Sequence, residues 1–147
     1  MNARGFDPLK PTIDSELLVG NPLGDPSTRP IWVYLPPGYD ENDDRYPSVY
    51  VIMGMTGQLD MWRNRAPFRP NVTELVDETF ADPDVPPCIV VLVDCWTSLG
   101  GSQFVDSPGT GRYHSYLCDE VVPWVDARYR TLASAAHRGI TGQSSGG

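Results

Sequence analysis

His137-Arg138-Gly139-Ile140-Thr141-Gly142-Gln143-Ser144-Ser145-Gly146-Gly147 decides the reading of this chain. Residues His137 to Thr141 read as a short strand, and the strand runs directly into one G-x-S-x-G, centred on Ser144. Ser145 cannot be the centre, because Gln143 stands where its first glycine would be. By composition alone, about one chain in ten of this length would carry such a motif by chance. Its position at the end of a strand is therefore what gives it weight. There the strand must reverse sharply. The serine at the apex takes a positive φ, and the residues two before and two after it meet so closely that only glycine fits. The hydroxyl is then projected out of the sheet, and a helix starting behind it favours developing negative charge.

Upstream, short β-rich runs alternate with helical patterns, which is the signature of βαβ units. Ile13 to Val19 and Ile31 to Leu35 read as early strands, separated by the turn-rich Asn21 to Pro26. Ser48 to Met53 is a buried strand closed by Gly54-Met55-Thr56-Gly57. From Asn71 to Ala81, Val72, Leu75, Val76 and Phe80 share a helical face, and Asn71 with Glu74 forms a capping-box pattern. Cys88 to Val93 is a continuous apolar run suited to the middle of a parallel sheet. A Gly/Ser-rich loop, Thr97 to Gly111, leads to a second helix with Tyr113, Tyr116, Leu117, Val121 and Trp124 as its buried stripe. Pro123 removes a backbone donor there, so a kink or restart is expected near Asp119 to Val122.

Composition narrows the function classes. The chain has 147 residues, 40% hydrophobic and 20% charged, in the ordinary globular range, so one domain over residues 1–147 is expected. A net charge of −8 opposes binding to nucleic acid or to anionic membrane surfaces. Three cysteines without a C-x-x-C pair and two histidines give no disulfide framework or zinc pattern, so no metal or cofactor is expected. The N-terminus lacks the apolar stretch of a signal peptide, and the longest apolar run, Ile89 to Val93, is too short to span a bilayer. A cytoplasmic location is the expectation. Homo-oligomerisation is left open.

Several segments together resemble the esterase D-type "putative esterase" branch of the α/β-hydrolase family, which also holds mycolyltransferases and carbohydrate-ester hydrolases. They are Tyr34-Leu35-Pro36-Pro37-Gly38-Tyr39, Tyr46-Pro47 before a buried strand, Gly54 to Gly57, Asp119 to Val125, and Gly142 to Gly147. The resemblance implies an α/β fold, the N-terminal portion of an α/β-hydrolase sheet, mostly parallel with helices on both faces. On that mapping the strands at 48–53, 88–93 and 137–141 are the third, fourth and fifth.

The implied chemistry is carboxylic-ester hydrolysis through an acyl-enzyme on Ser144, on a small-molecule ester. The oxyanion donors would be the backbone amides of Ser145 and of Met55, with Thr56 the alternative to Met55. The sequence departs from the family pattern at Met53, where a histidine commonly precedes the glycine. Thr56 and Trp96 are candidate pocket residues, the latter because Asp94-Cys95-Trp96 lies at the carboxyl end of a strand. Arg63, Arg65 and Arg69 are read as surface arginines pairing with acidic groups, and Cys95 is rejected as a nucleophile for want of a neighbouring base.

In the family, the acid and then the base follow the nucleophile in chain order, and only three residues follow Ser144. His114 is read as a capping or surface residue and His137 as a packed or rim residue. The triad is therefore expected to be incomplete, the domain truncated after the nucleophile turn, and residues 1–147 alone inactive. The competing readings are a non-catalytic hydrolase-like module that binds carbohydrate or a protein partner, and an acyltransferase on the same scaffold.

Overall fold

The computed structural model describes residues 5–7 and 9–147. A five-stranded sheet forms its centre, built from β1 (Thr12–Asp14), β2 (Thr28–Tyr34), β3 (Ser48–Ile52), β4 (Ile89–Val93) and β5 (Arg138–Gly142). The spatial order is β1-β2-β4-β3-β5. β1 and β2 pair antiparallel, β2 and β4 pair antiparallel, and β3 pairs parallel with both β4 and β5. The sheet is thus mixed rather than mostly parallel; its parallel half is the part that carries the Ser144 turn.

β4 is buried at every residue from Ile89 to Val93, as its continuous Ile-Val-Val-Leu-Val run requires of a strand covered on both faces. Tyr50 and Val51 on β3 show where the covers lie. Tyr50 shares a cavity wall with Leu117 and Val122, whereas Val51 shares one with Trp62 and Val72. Successive strand residues point to opposite faces, so the helix bearing Val72 and the one bearing Leu117 lie on opposite sides of the sheet.

The first of these, α1 (Val72–Ala81), starts with a complete capping box: Glu74 N–H donates to Asn71 Oδ1 at 3.0 Å and Asn71 N–H donates to Glu74 Oε2 at 2.9 Å. Val72, Val76 and Phe80 pack on the core, and Phe80 stacks on Tyr34 with centroids 5.5 Å apart. Leu75, expected on that face, is instead exposed.

On the other face, α2 (Tyr113–Ser115) widens into a π-helical stretch over Tyr116–Val121 and resumes as α3 (Val122–Arg128), with Pro123 in the first turn of the restart. A π turn takes more residues per revolution than an α turn. The buried stripe accordingly runs Tyr113, Tyr116, Leu117, Val121 and Val125, and Trp124 moves aside to pack on Tyr129 beneath Arg128.

The strand expected over Ile13 to Val19 is only three residues long. Ser15 onward is turned away by Glu120, whose carboxylate accepts the Ser15 hydroxyl and the amides of Glu16 and Leu17, at 2.8 and 3.1 Å for the amides. At the opposite border, Asp126 on α3 accepts Arg138 Nη2 at 2.7 Å and Thr131 Oγ1 at 2.6 Å, anchoring the start of β5. No helix among the described residues is long and apolar enough to cross a membrane.

β5 pairs only with β3 among the described residues, and Ile140 on it is 61% exposed. An unpaired strand edge beside apolar surface is a template for pairing with another chain. Residues 1–147 alone are therefore expected to self-associate in light scattering, and Ile140→Lys to reduce that association. A monodisperse monomer of the unsubstituted chain would contradict this.

Candidate active site

The parallel register brings Ile52 opposite Val93 on one side and opposite Gly142 on the other. β3, β4 and β5 therefore end at one level, and the three segments that leave them emerge side by side. From β5, Gln143 N–H still donates to the Ile52 carbonyl at 3.2 Å, after which the chain folds into a 3-10 turn over Ser144–Gly146. Ser144 at its start has φ +56°, in the left-handed region that costs an L-residue roughly 1–2 kcal/mol. Gly146 N–H closes the turn on the Gln143 carbonyl at 2.9 Å. Ser144 itself is exposed.

The glycines of the motif are sterically required. A Cβ on Gly142 would collide with the carbonyls of Ile52 and Gly146. One on Gly146 would stand 2.7 Å from the Ile52 carbonyl oxygen and 2.8 Å from that of Met53. Across the gap, a Cβ on Gly54 would lie 2.8 Å from Ser144 Cβ, 2.9 Å from the Gln143 carbonyl oxygen and 3.3 Å from Ser144 Oγ. The turn that follows β3 and the turn that follows β5 thus touch backbone to backbone, with the serine hydroxyl between them.

Gly54 to Gly57 form a tight turn closed by Gly57 N–H donating to the Gly54 carbonyl at 3.0 Å. Because a trans peptide points its C=O and N–H in opposite directions, that bond also aims the Met55 N–H away from the turn interior. Neither the Met55 nor the Ser145 amide has a hydrogen-bond acceptor among the described residues. A cavity of about 330 Å³ is lined by Met53, Gly54, Met55, Thr56, Gly57, Met61, Gln143 and Ser144. It shares Met53, Met61 and Gln143 with an adjoining cavity of about 460 Å³ that reaches Trp62 and Val72.

Of the residues singled out in the sequence, Ser144, Met55 and Thr56 line the same cavity, and Ser145 follows on the exposed 3-10 turn. Trp96 is not brought to it. It lines a separate space of about 300 Å³ with Arg29, Trp32, Asp60 and Asp94, because the ribbon it belongs to turns its glycines toward the Gly54–Gly57 turn. Asp94 is buried and paired with Arg29 at 3.1 Å. Burial raises its pKa above the usual carboxylate range, against the pull of Arg29 and of the Trp96 and Leu59 amides. Burial, with Asp94 adding to it, pushes the Cys95 thiol up to about 11, so it is un-ionised at neutral pH and not a nucleophile.

Arg63 lies over the Trp32 ring at 3.8 Å and Arg65 is 3.9 Å from Glu74. His114 Nε2 is 3.8 Å from Cys118 Sγ, His137 Nδ1 is 2.9 Å from Ser134 Oγ, and neither histidine lines the Ser144 cavity. Met61, Gly100 and Gly101 were not legible as site residues. The paired glycines just past the end of β4 were the one available signal for the last two.

The fit of Gly54 against Ser144 is directly testable. In the natural protein that carries residues 1–147, Gly54→Ala is expected to keep the fold, push the two turns apart, and lower turnover of p-nitrophenyl acetate by on the order of 10²-fold. Unchanged turnover in a folded Gly54→Ala protein would show that the contact is not needed.

Comparison with known proteins agrees with this architecture. The chain is 28% identical over 119 residues to an endo-1,4-beta-xylanase/feruloyl esterase of Xylanibacter ruminicola, covering 78% of this chain and 16% of that protein. Among solved structures, a ferulic acid esterase superposes with a TM-score of 0.75 at 24% identity, over 99% of this chain and 52% of the other. A serine-to-alanine mutant of the feruloyl esterase module from Clostridium thermocellum, complexed with sinapinate, gives 0.71 at 21% identity, over 98% and 46%. An S-formylglutathione hydrolase from Agrobacterium tumefaciens gives 0.64 at 18%, over 98% and 50%. This chain spans about half the length of these solved chains. At these identities the structural matches show the shared α/β-hydrolase-type fold. The family model described as "Putative esterase" matches residues 26–147, and the chain belongs to that family.

Proposed function

We propose that the protein carrying this chain is a serine carboxylic-ester hydrolase in which Ser144 forms the acyl-enzyme. The observation that carries this reading is the left-handed, exposed Ser144 at the apex of the turn after β5, wedged against Gly54 and lining the cavity there. The backbone N–H groups of Met55 and Ser145 are the oxyanion donors. Such donors each lower the barrier by about 3 kcal/mol when aimed at the developing charge. Among the described residues both are free of competing acceptors, as a donor reserved for a transition state must be.

Ser144 needs a base to take its proton and an acid group to orient that base. His114 and His137 are each engaged elsewhere, so both groups come from outside residues 1–147. Without them, the fragment alone is inactive.

The acyl side is an aromatic carboxylate. Met53, Met55 and Met61 line the cavity around Ser144, and thioethers contact aromatic rings favourably while adapting to their shape. The similarity to feruloyl esterases points the same way. The substrate is a small ester of this kind, with no nucleic acid and no membrane involved.

The test uses the natural protein that carries residues 1–147, assayed on p-nitrophenyl acetate and on p-nitrophenyl ferulate, which share one leaving group. Ser144→Ala is expected to lower kcat by at least about 10⁴-fold on both esters, since loss of the nucleophile leaves only binding and the oxyanion donors. Equal turnover by Ser144→Ala and the unsubstituted protein would remove Ser144 from its role. A higher kcat/KM for acetate than for ferulate would overturn the aromatic acyl assignment alone.

A further inference from the structure

We propose that the ribbon following β4 is a clamp that fixes the oxyanion turn, with the Gly101 amide holding the Met55 carbonyl in front and the buried Arg29–Asp94 pair holding the ribbon from behind. This assigns a positioning role to residues that do not touch substrate, and it rests on Ser144 and the Met55 amide acting as described above.

The ribbon consists of Trp96–Thr97 paired antiparallel with Gly100–Gly101. Gly101 N–H donates to the Met55 carbonyl. No side chain could occupy that approach. A Cβ on Gly101 would lie 2.8 Å from the Gly54 carbonyl oxygen and 2.9 Å from that of Met55, and one on Gly100, where φ is +109°, would lie 2.8 Å from the Met55 oxygen. The two carbonyls of the oxyanion turn are therefore both engaged, Gly54 by the Gly57 amide and Met55 by the Gly101 amide. With both adjoining peptide planes fixed, the Met55 N–H between them keeps one direction without any bond of its own.

The ribbon is itself held from behind. Thr97 Oγ1 donates to the Gly100 carbonyl at 2.6 Å and accepts the Leu99 amide at 3.2 Å, which shapes the bend. Ser102 N–H returns to the Cys95 carbonyl at 2.8 Å. Arg29 donates to the Trp96 carbonyl and pairs with Asp94 at 3.1 Å, and both side chains are buried. Leu59, two residues beyond the oxyanion turn, lines the same space as Arg29, Asp94 and Trp96. One buried ion pair thus ties the ribbon to β2 and to the end of β4. A donor aligned before substrate arrives needs no reorganisation during the reaction, which is where such groups gain their effect.

The experiment compares Gly101→Ala, Thr97→Val and Asp94→Asn with the unsubstituted natural protein, using Ser144→Ala as a reference. The readouts are kcat, KM, thermal midpoint, and affinity for an aryl boronic acid, which forms a tetrahedral adduct on the serine oxygen. Gly101→Ala is expected to lower kcat by on the order of 10²-fold and weaken the boronate to a similar degree, with KM changed less than about threefold. Thr97→Val and Asp94→Asn, gentler at the same contacts, are expected to lower kcat by about five- to tenfold. Folded variants with unchanged kcat and boronate affinity, while Ser144→Ala is inactive, would overturn the clamp alone. Retained turnover in Ser144→Ala would overturn the hydrolase reading and the clamp together. Should Gly101→Ala fail to fold, the other two variants decide the question, and a fall in kcat that merely tracks a fallen thermal midpoint counts against the clamp.

Discussion

The contact between the end of β3 and the turn after β5 governs the rest of the molecule. Parallel neighbours in a sheet lie about 4.8 Å apart, and here both turn immediately beyond the last shared rung, Ile52 opposite Gly142. Two backbones that turn toward one another from that spacing have no room for a Cβ on the facing residues. Gly54, Gly142 and Gly146 are the positions where the collisions would occur, and the partners they would strike are mostly main-chain atoms that cannot swing aside. The left-handed Ser144 is the residue left at the apex once those constraints are met. Its strain is therefore a consequence of strand register, stabilised by the sheet and not by the turn itself.

The sheet must also hold that register against the cost of burying charge. Arg29 and Asp94 are both almost fully enclosed, and desolvating an ion pair costs several kcal/mol per ion unless hydrogen bonds offset it. Arg29 meets the cost with the carbonyls of Pro26 and Trp96, the Asp94 carboxylate and the Tyr113 ring, although its Nε has no partner among the described residues. A hydrophobic pair could fill the same volume. It could not bind the carbonyls of Pro26 and Trp96 at once, and that reach is what the site requires of this position.

Local signals were the legible ones. Asn71 and Glu74 cap their own helix within one turn, so spacing alone revealed the capping box. The apolar run at Ile89 to Val93 and the strand ending in Gly142 were equally plain, and with them the place of Ser144. What escaped detection depended on distant partners. The early strand is cut short by Glu120, more than a hundred residues away in the chain. Pro123 announced a break in the helix, but not that the break would be a π turn exchanging Trp124 for Val125 at the core. Trp96 sits at the expected sheet edge, yet a two-residue ribbon rotates it into a different cavity. Periodicity cannot register a rotation that short.

Met53 shows how a departure from the family pattern is accommodated. Its side chain is buried beneath the Gly54–Gly57 turn, and a Cβ on Gly57 would collide with it. The atom that Cβ would strike first is Met53 Cβ, so any residue with a side chain at 53 requires the glycine at 57, and the thioether methyl at 2.6 Å adds to that requirement. Closing the turn there lets the Gly57 amide reach the Gly54 carbonyl, and that bond sets the direction of the Met55 N–H. Dense apolar packing resists deformation well enough to hold such a turn without a buried polar side chain at this position. The polar restraint is supplied from the other side, where Gly101 binds the Met55 carbonyl. The geometry around Ser144 thus depends on backbone hydrogen bonds laid over a close-packed floor.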